Sequence, residues 1–142
     1  MGRIIAVCTS DIKGVAKNKK DSIELKTDHG IMGDAHAGSW HRQVSLLSFE
    51  KIETFKSRGA QVDLGAFGEN IVVSGIDLSA LALGTNLQCN QVILQVTQIG
   101  KACHHHCKIY EAVGDCIMPR EGIFTKVIHG GFIKEGDLIE VV

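Results

Sequence analysis

The chain has 142 residues, with 15 basic against 16 acidic side chains and a formal net charge of −1. That length suits one domain over residues 1–142, large enough to bury a core without disulfide or metal staples. The balanced charge gives no long-range pull toward nucleic acid or an anionic membrane, and 44% hydrophobic against 22% charged residues excludes a disordered chain.

The first expected element is a strand over Arg3–Cys8. Its apolar run is too short for the core of a signal peptide, and no stretch approaches the ~18 apolar residues of a membrane span. The expectation is a cytoplasmic protein whose five cysteines stay reduced; the odd count also fits poorly with a closed disulfide framework. The basic run Lys13–Lys20, interrupted by Val15 and Ala16, reads as a solvated loop. Strands follow at Ser22–Lys26 and Gln43–Leu47. A helix is expected next, with Ser48 as cap, Phe49, Ile52 and Phe55 at spacing three, and Gly59 as stop.

Further strands are expected at Asn70–Val73, Asn86–Cys89, Val92–Ile99, Ile123–Ile128 and Leu138–Val142. Val92–Ile99 alternates best: Val92, Leu94 and Val96 share one face, Gln95 and Thr97 the other. A weaker helix or helical turn covers Ala102–Ala112, and Gly131–Ile139 reads as a strand–turn–strand ending. Sixteen glycines and one proline, spread evenly, mark many tight turns and no linker. The fold class is mainly β: a closed or nearly closed β-barrel of short strands with one or two short helices.

The densest chemistry lies at Lys101-Ala102-Cys103-His104-His105-His106-Cys107. On a helix Cys103 and Cys107 share a face; in an extended segment Cys103, His105 and Cys107 do. Either arrangement offers ligands to zinc or another borderline metal, so these three are the metal candidates. A plain surface turn accounts for the same residues, as does a reactive thiol, whose anion Lys101 and the histidines would favour. Cys8 and Cys89, each ending an apolar strand, read as small core hydrophobes.

Two other clusters stand out. In Gly30-Ile31-Met32-Gly33-Asp34-Ala35-His36-Ala37-Gly38, the glycines free the backbone for close approach to a ligand, while Asp34 and His36 supply an acid and a titratable base. Arg42 adds a fixed cation just before a strand. In Met118-Pro119-Arg120-Glu121-Gly122, Arg120 can grip an oxyanion with two hydrogen bonds. A solvated glycine-rich hairpin loop explains the first cluster equally well.

Taken in order, these motifs resemble the molybdenum-cofactor-sulfurase C-terminal (MOSC) family. The resemblance rests on Gly33-Asp34-x-His36 with Arg42-Gln43-Val44, on Gly68-Glu69-Asn70-Ile71 and Gly75-Ile76-Asp77-Leu78. It continues through Gly100-x-x-Cys103, Met118-x-Arg120-x-Gly122-Ile123 and Gly131 to Asp137. It implies a β-barrel and a sulfur carrier in which Cys103 accepts sulfane sulfur and delivers it to a metal–sulfur or molybdopterin centre. The donor would be a partner cysteine desulfurase, which supplies the pyridoxal phosphate chemistry. The acceptor would be a molybdenum-cofactor enzyme or a cofactor-biosynthesis protein.

Arg42 and Arg120 would hold the pterin phosphate or stabilise the sulfur anion, with Lys101 beside the thiol. Gly33 would let backbone N–H groups approach, Asp34 or His36 would manage a proton or orient an arginine, and Asn70 would hold the loop. Family members often carry a basic residue and proline before the cysteine, where this chain has Lys101-Ala102. Two other functions fit the same residues: a molybdenum-cofactor-dependent reductase of N-hydroxylated compounds, or a module that binds cofactor or metal without turnover.

Overall fold

A computed structural model describes residues 1–12, 16–57, 59, 64–100 and 122–142. The chain begins with β1 (Gly2–Thr9), β2 (Asn18–Lys20), β3 (Ser22–Lys26), β4 (Gly30–Ile31) and β5 (Val44–Ser48), followed by helix α1 (Phe49–Lys56). It continues with β6 (Ile71–Ser74), a 3-10 turn (Leu78–Ala80), β7 (Asn86–Cys89), β8 (Val92–Ile99), β9 (Ile123–His129), β10 (Gly131–Lys134) and β11 (Leu138–Val141). The expected barrel is present. Neighbours run β11-β7-β8-β9-β5-β6-β1, and a β11–β1 pairing closes the seven-strand ring. Among the described strands only β5 and β6 pair in parallel, so the chain must cross over between them, and α1 lies on that connection.

Inside the ring, Ile4, Val7, Val44, Leu46, Ile71, Val73, Leu87, Leu94, Val96, Ile123 and Val127 form one core. A three-stranded sheet, β10-β3-β4, lays Ile23, Leu25, Ile31 and Ile133 onto it. A second, outer core of Ala6, Cys8, Leu47, Val72 and Phe124 packs under Ile52 and Phe55 of α1. β1 serves both cores through a bulge. Its register against β6 slips between Ile4 and Ala6, so Ile5 and Ala6 both face outward before Val7 turns in again.

Several details depart from the sequence reading. Lys17, expected in a solvated loop, is only 4% exposed, whereas Asn18–Lys20 of the same run lies at the surface as β2. Ser48 precedes α1 but does not cap it; its hydroxyl donates to the Ile76 carbonyl and accepts from the Leu78 N–H, docking the 3-10 turn. Gly59 stops the helix as expected, at φ +101°, a conformation that suits glycine. Gln43 stands just outside β5. Its fully buried amide accepts from the Val127 N–H and donates to Asp28, replacing a ladder bond with a side-chain one.

Among the described residues, no helix is long and apolar enough to cross a membrane. The Ala102–Ala112 helix expected from sequence lies outside the described residues.

Candidate functional site

The glycine-rich loop between β4 and β5 folds against the end of β1 and the approach to β2. Asp34 is its anchor. Its Oδ1 accepts the Ser10 N–H at 3.1 Å and the Lys17 ammonium at 2.7 Å, and its Oδ2 accepts the His36 N–H at 3.1 Å. Both side chains of the Lys17–Asp34 pair are essentially buried, at 1% and 0% exposure. The pair survives burial because the carboxylate has three donors, so its charge is met by hydrogen bonds as well as by the cation.

Lys17 also reaches His36, with Nζ 2.9 Å from Nδ1. An ammonium has protons to give and no lone pair, so Nδ1 is the acceptor. The alternative partner for that ring nitrogen, Asp34 Oδ2, stands at 3.9 Å, beyond hydrogen-bonding range. His36 is therefore held by its backbone on Asp34 and by its ring on Lys17. Its side chain remains about a third exposed.

Trp40 connects this anchor to Arg42. The indole N–H donates to the His36 carbonyl at 2.7 Å, and the Arg42 guanidinium carbon lies 4.8 Å from the Trp40 ring centre and 5.5 Å from that of Phe124. A weakly hydrated, planar cation suits two aromatic neighbours, and the contacts hold it in place. Arg42 Nε is buried with no hydrogen-bond partner among the described residues. A buried donor without an acceptor is costly, and an anionic group would remove that cost.

The loop is also tied to the end of β8. Thr97 donates its hydroxyl to the His41 carbonyl, and His41 Nε2 lies 2.9 Å from Gln98 Oε1, whose amide nitrogen donates to the Gly100 carbonyl at 2.7 Å. The Gly100 N–H in turn donates to the Gly122 carbonyl at 2.6 Å. Gly100 and Gly122 thus stand side by side at the end of β8, next to the loop that carries Arg42.

Asn70 and Glu69 are committed inward. Asn70 Oδ1 accepts from the Ser45 N–H and hydroxyl, and Nδ2 donates to the Cys8 carbonyl, stitching β1 to β5. Glu69 accepts the N–H groups of Gly65 and Phe67. Burial pushes its carboxyl above the ordinary range, opposed by those backbone donors and by the Lys17 charge. At Gly33 an added side chain would meet nothing within 4 Å among the described residues.

The structure therefore brings Asp34, His36 and Arg42 together, as the sequence suggested, and places Gly33 on the same loop. Asn70 lies in the frame between β1 and β5 and makes its side-chain bonds to Ser45 and Cys8. Cys103, Lys101, His105, Cys107 and Arg120 lie outside the described residues. Among the described residues, no three His, Cys, Asp or Glu side chains converge to hold a metal. Cys8 and Cys89 are buried, and burial is the first cause that pushes each thiol up to about 12. They match the core reading.

Sequence reasoning missed Lys17, Trp40 and Phe124 as parts of this wall. Trp40 had a usable signal: it is the single tryptophan and sits two residues before Arg42. For Lys17 there was none, because a buried lysine in a basic run looks like its solvated neighbours.

A closed seven-strand barrel, with an anchored Asp–x–His loop leading to a stacked arginine, defines a small β-barrel domain of the MOSC type. The model of the MOSC domain matches residues 33–140, and the chain belongs to that family. The family is generally linked to molybdenum-cofactor sulfurase-type or related activity. The fold is similar to that of the YuaD protein from Bacillus subtilis, at 22% identity, TM-score 0.82, and coverage of 99% of this chain and 96% of that one. YiiM from Geobacillus stearothermophilus follows at 18% identity and TM-score 0.73, covering 100% of this chain and 75% of that one. YiiM from Escherichia coli gives 21% identity and 0.69, with 100% and 70% covered. No curated protein matches the chain significantly.

Proposed function

We propose that this protein is a sulfur carrier of molybdenum-cofactor metabolism, working in the cytoplasm through Cys103. The observation that carries the reading is Arg42, whose cation is fixed against Trp40 and Phe124 while its buried Nε lacks a partner among the described residues. That donor, with the Gly33 backbone uncrowded among the described residues, fits an anionic ligand such as a pterin phosphate. Cys103 follows Gly100 by three positions, so the chain alone keeps their Cα atoms within roughly 11 Å. Gly100 is tied through Gln98 to His41, the residue before Arg42.

In the proposed transfer, the Cys103 thiolate attacks the terminal sulfur of a persulfide on a partner cysteine desulfurase. The donor's S–S bond breaks, the donor leaves as thiolate, and Cys103 retains the sulfur as its own persulfide. Delivery passes that terminal sulfur to a nucleophilic acceptor centre, and the S–S electron pair returns to Cys103 as thiolate. Arg42 and Arg120 hold the acceptor's anionic group. Pyridoxal phosphate belongs to the donor enzyme, whereas the molybdenum cofactor is the ligand or target whose phosphate Arg42 and Arg120 would hold.

Protein produced in cells with an intact cofactor pathway tests this against the reductase alternative. The carrier reading expects molybdenum well below one atom per chain and sulfur loading by a desulfurase with cysteine. Tightly held stoichiometric molybdenum, with reduction of N-hydroxylated compounds, would overturn it. Zinc at one atom per chain that leaves only with unfolding would instead mark the Cys103–His105–Cys107 run as structural.

A further inference from the structure

Lys17 lies before the residues that match the family model, on a stretch whose composition predicted a solvent-facing loop. It is instead buried, with its ammonium between Asp34 Oδ1 at 2.7 Å and His36 Nδ1 at 2.9 Å. Its own backbone is equally constrained. The Lys17 N–H donates to the Gly65 carbonyl at 2.8 Å, and a Cβ added at Gly65 would stand 2.2 Å from the Lys17 carbonyl oxygen. Glu69, which grips the Gly65 N–H, adds a second carboxylate whose charge acts on Lys17. The ammonium is thus fixed from both ends of the residue.

A histidine next to a buried aspartate can use that carboxylate to orient its ring, with the proton on Nδ1 and the other nitrogen left as a base. Here the cation occupies the position that such a carboxylate would need. Nδ1 must keep its lone pair, and a protonated ring would put two positive charges 2.9 Å apart. With Nδ1 accepting from Lys17, the ring carries its proton on Nε2.

We propose that Lys17 is a positioning residue that locks His36 as an Nε2–H tautomer, so that His36 meets an anionic group as a hydrogen-bond donor and not as a general base. This goes further than the sulfur-carrier reading by assigning His36 its chemistry: it supports an acceptor atom, such as a phosphate oxygen or a sulfur anion, alongside Arg42. The inference rests on reading the Asp34–Arg42 loop as the ligand-facing wall. Its test reads the ring itself and requires no sulfur transfer, so either claim can fail alone.

The experiment is long-range proton–nitrogen NMR of the histidine rings in the full ¹⁵N-labelled chain, with the His36 signals assigned by loss in His36→Gln. Wild-type protein at neutral pH is expected to show an unprotonated Nδ1 and a protonated Nε2 at His36. Lys17→Met should abolish that signature, letting the ring share its proton between nitrogens or turn Nδ1–H toward Asp34. The double variant Lys17→Met/Asp34→Asn removes both charges of the buried pair; it should show the same loss if the single variant does not fold. A wild-type His36 with its proton on Nδ1, or doubly protonated at neutral pH, would overturn the proposal. So would an unchanged tautomer in a folded variant lacking Lys17.

Discussion

Trp40 lies 4.8 Å beneath the guanidinium carbon of Arg42, and the same indole donates to the His36 carbonyl. One aromatic side chain therefore touches both the cation and the loop that carries the histidine. Because Trp40 is the single tryptophan, the chain's indole fluorescence reports on the surroundings of this one ring. Arg42→Ala should change the emission and cost about 1 kcal/mol of stability, the scale of a partly buried cation–π contact. Titration with a phosphate-bearing pterin should perturb the emission in wild type and weaken roughly tenfold or more in Arg42→Ala and Arg42→Lys, since lysine cannot reproduce the planar fork. Equal response in all three proteins would remove Arg42 from the site.

Two lysines two residues apart should behave differently. Lys17→Met leaves Asp34 buried and unpaired and should lower stability by about 3–5 kcal/mol in urea denaturation. Lys19 pairs with Glu135 at 2.7 Å at the surface, where both side chains are about half exposed, and Lys19→Met should leave the midpoint within error. Similar losses for both would mean that the Lys17 pair is not sequestered.

The two core thiols should be silent. With Cys8 and Cys89 raised from 9.0 to about 12, almost none of either is thiolate at pH 8. Iodoacetamide on folded protein at that pH should spare both peptides and modify them only after denaturation. The sign of the linkage follows from the folded state holding these protons more tightly than the unfolded chain. Their contribution is intact below pH 9 and is lost as pH rises from 9 toward 12. Alkaline denaturation curves of Cys8→Ala and Cys89→Ala should therefore be flatter than wild type across that window.

The glycines separate by what surrounds them. Gly33→Ala meets nothing within 4 Å among the described residues and should cost only the strain of φ +83°, about 1–2 kcal/mol. Gly65→Ala adds to its φ of +94° a clash with the Lys17 carbonyl and should be clearly more destabilising, with loss of the Lys17–Asp34 pair. Thermal melts of the two variants compare them directly.

Much of the barrel was legible because its strands carry local signals. β7 and β8 occupy the expected residues, and Val92, Leu94 and Val96 alternate inward as period two requires. The bulge in β1 was not legible: nothing local distinguishes Ile5 as the residue that resets the facing of the strand. Ser48 misled as a helix cap because its hydroxyl is used by a turn some thirty residues on, a contact set by tertiary packing. Asp34, His36 and Arg42 stood out through their glycine-rich setting. The cation that governs His36 did not, since burial of Lys17 depends on Asp34, Gly65 and Glu69 arriving from other segments of the chain.

The most direct test of the sulfur-carrier account is peptide-mapped mass spectrometry after incubation of the chain with a cysteine desulfurase and cysteine. The account predicts the added mass of one sulfur atom on Cys103, removed by mild reductant and absent in Cys103→Ser. Loading confined to Cys107 or Cys116, or undiminished loading in Cys103→Ser, would contradict it.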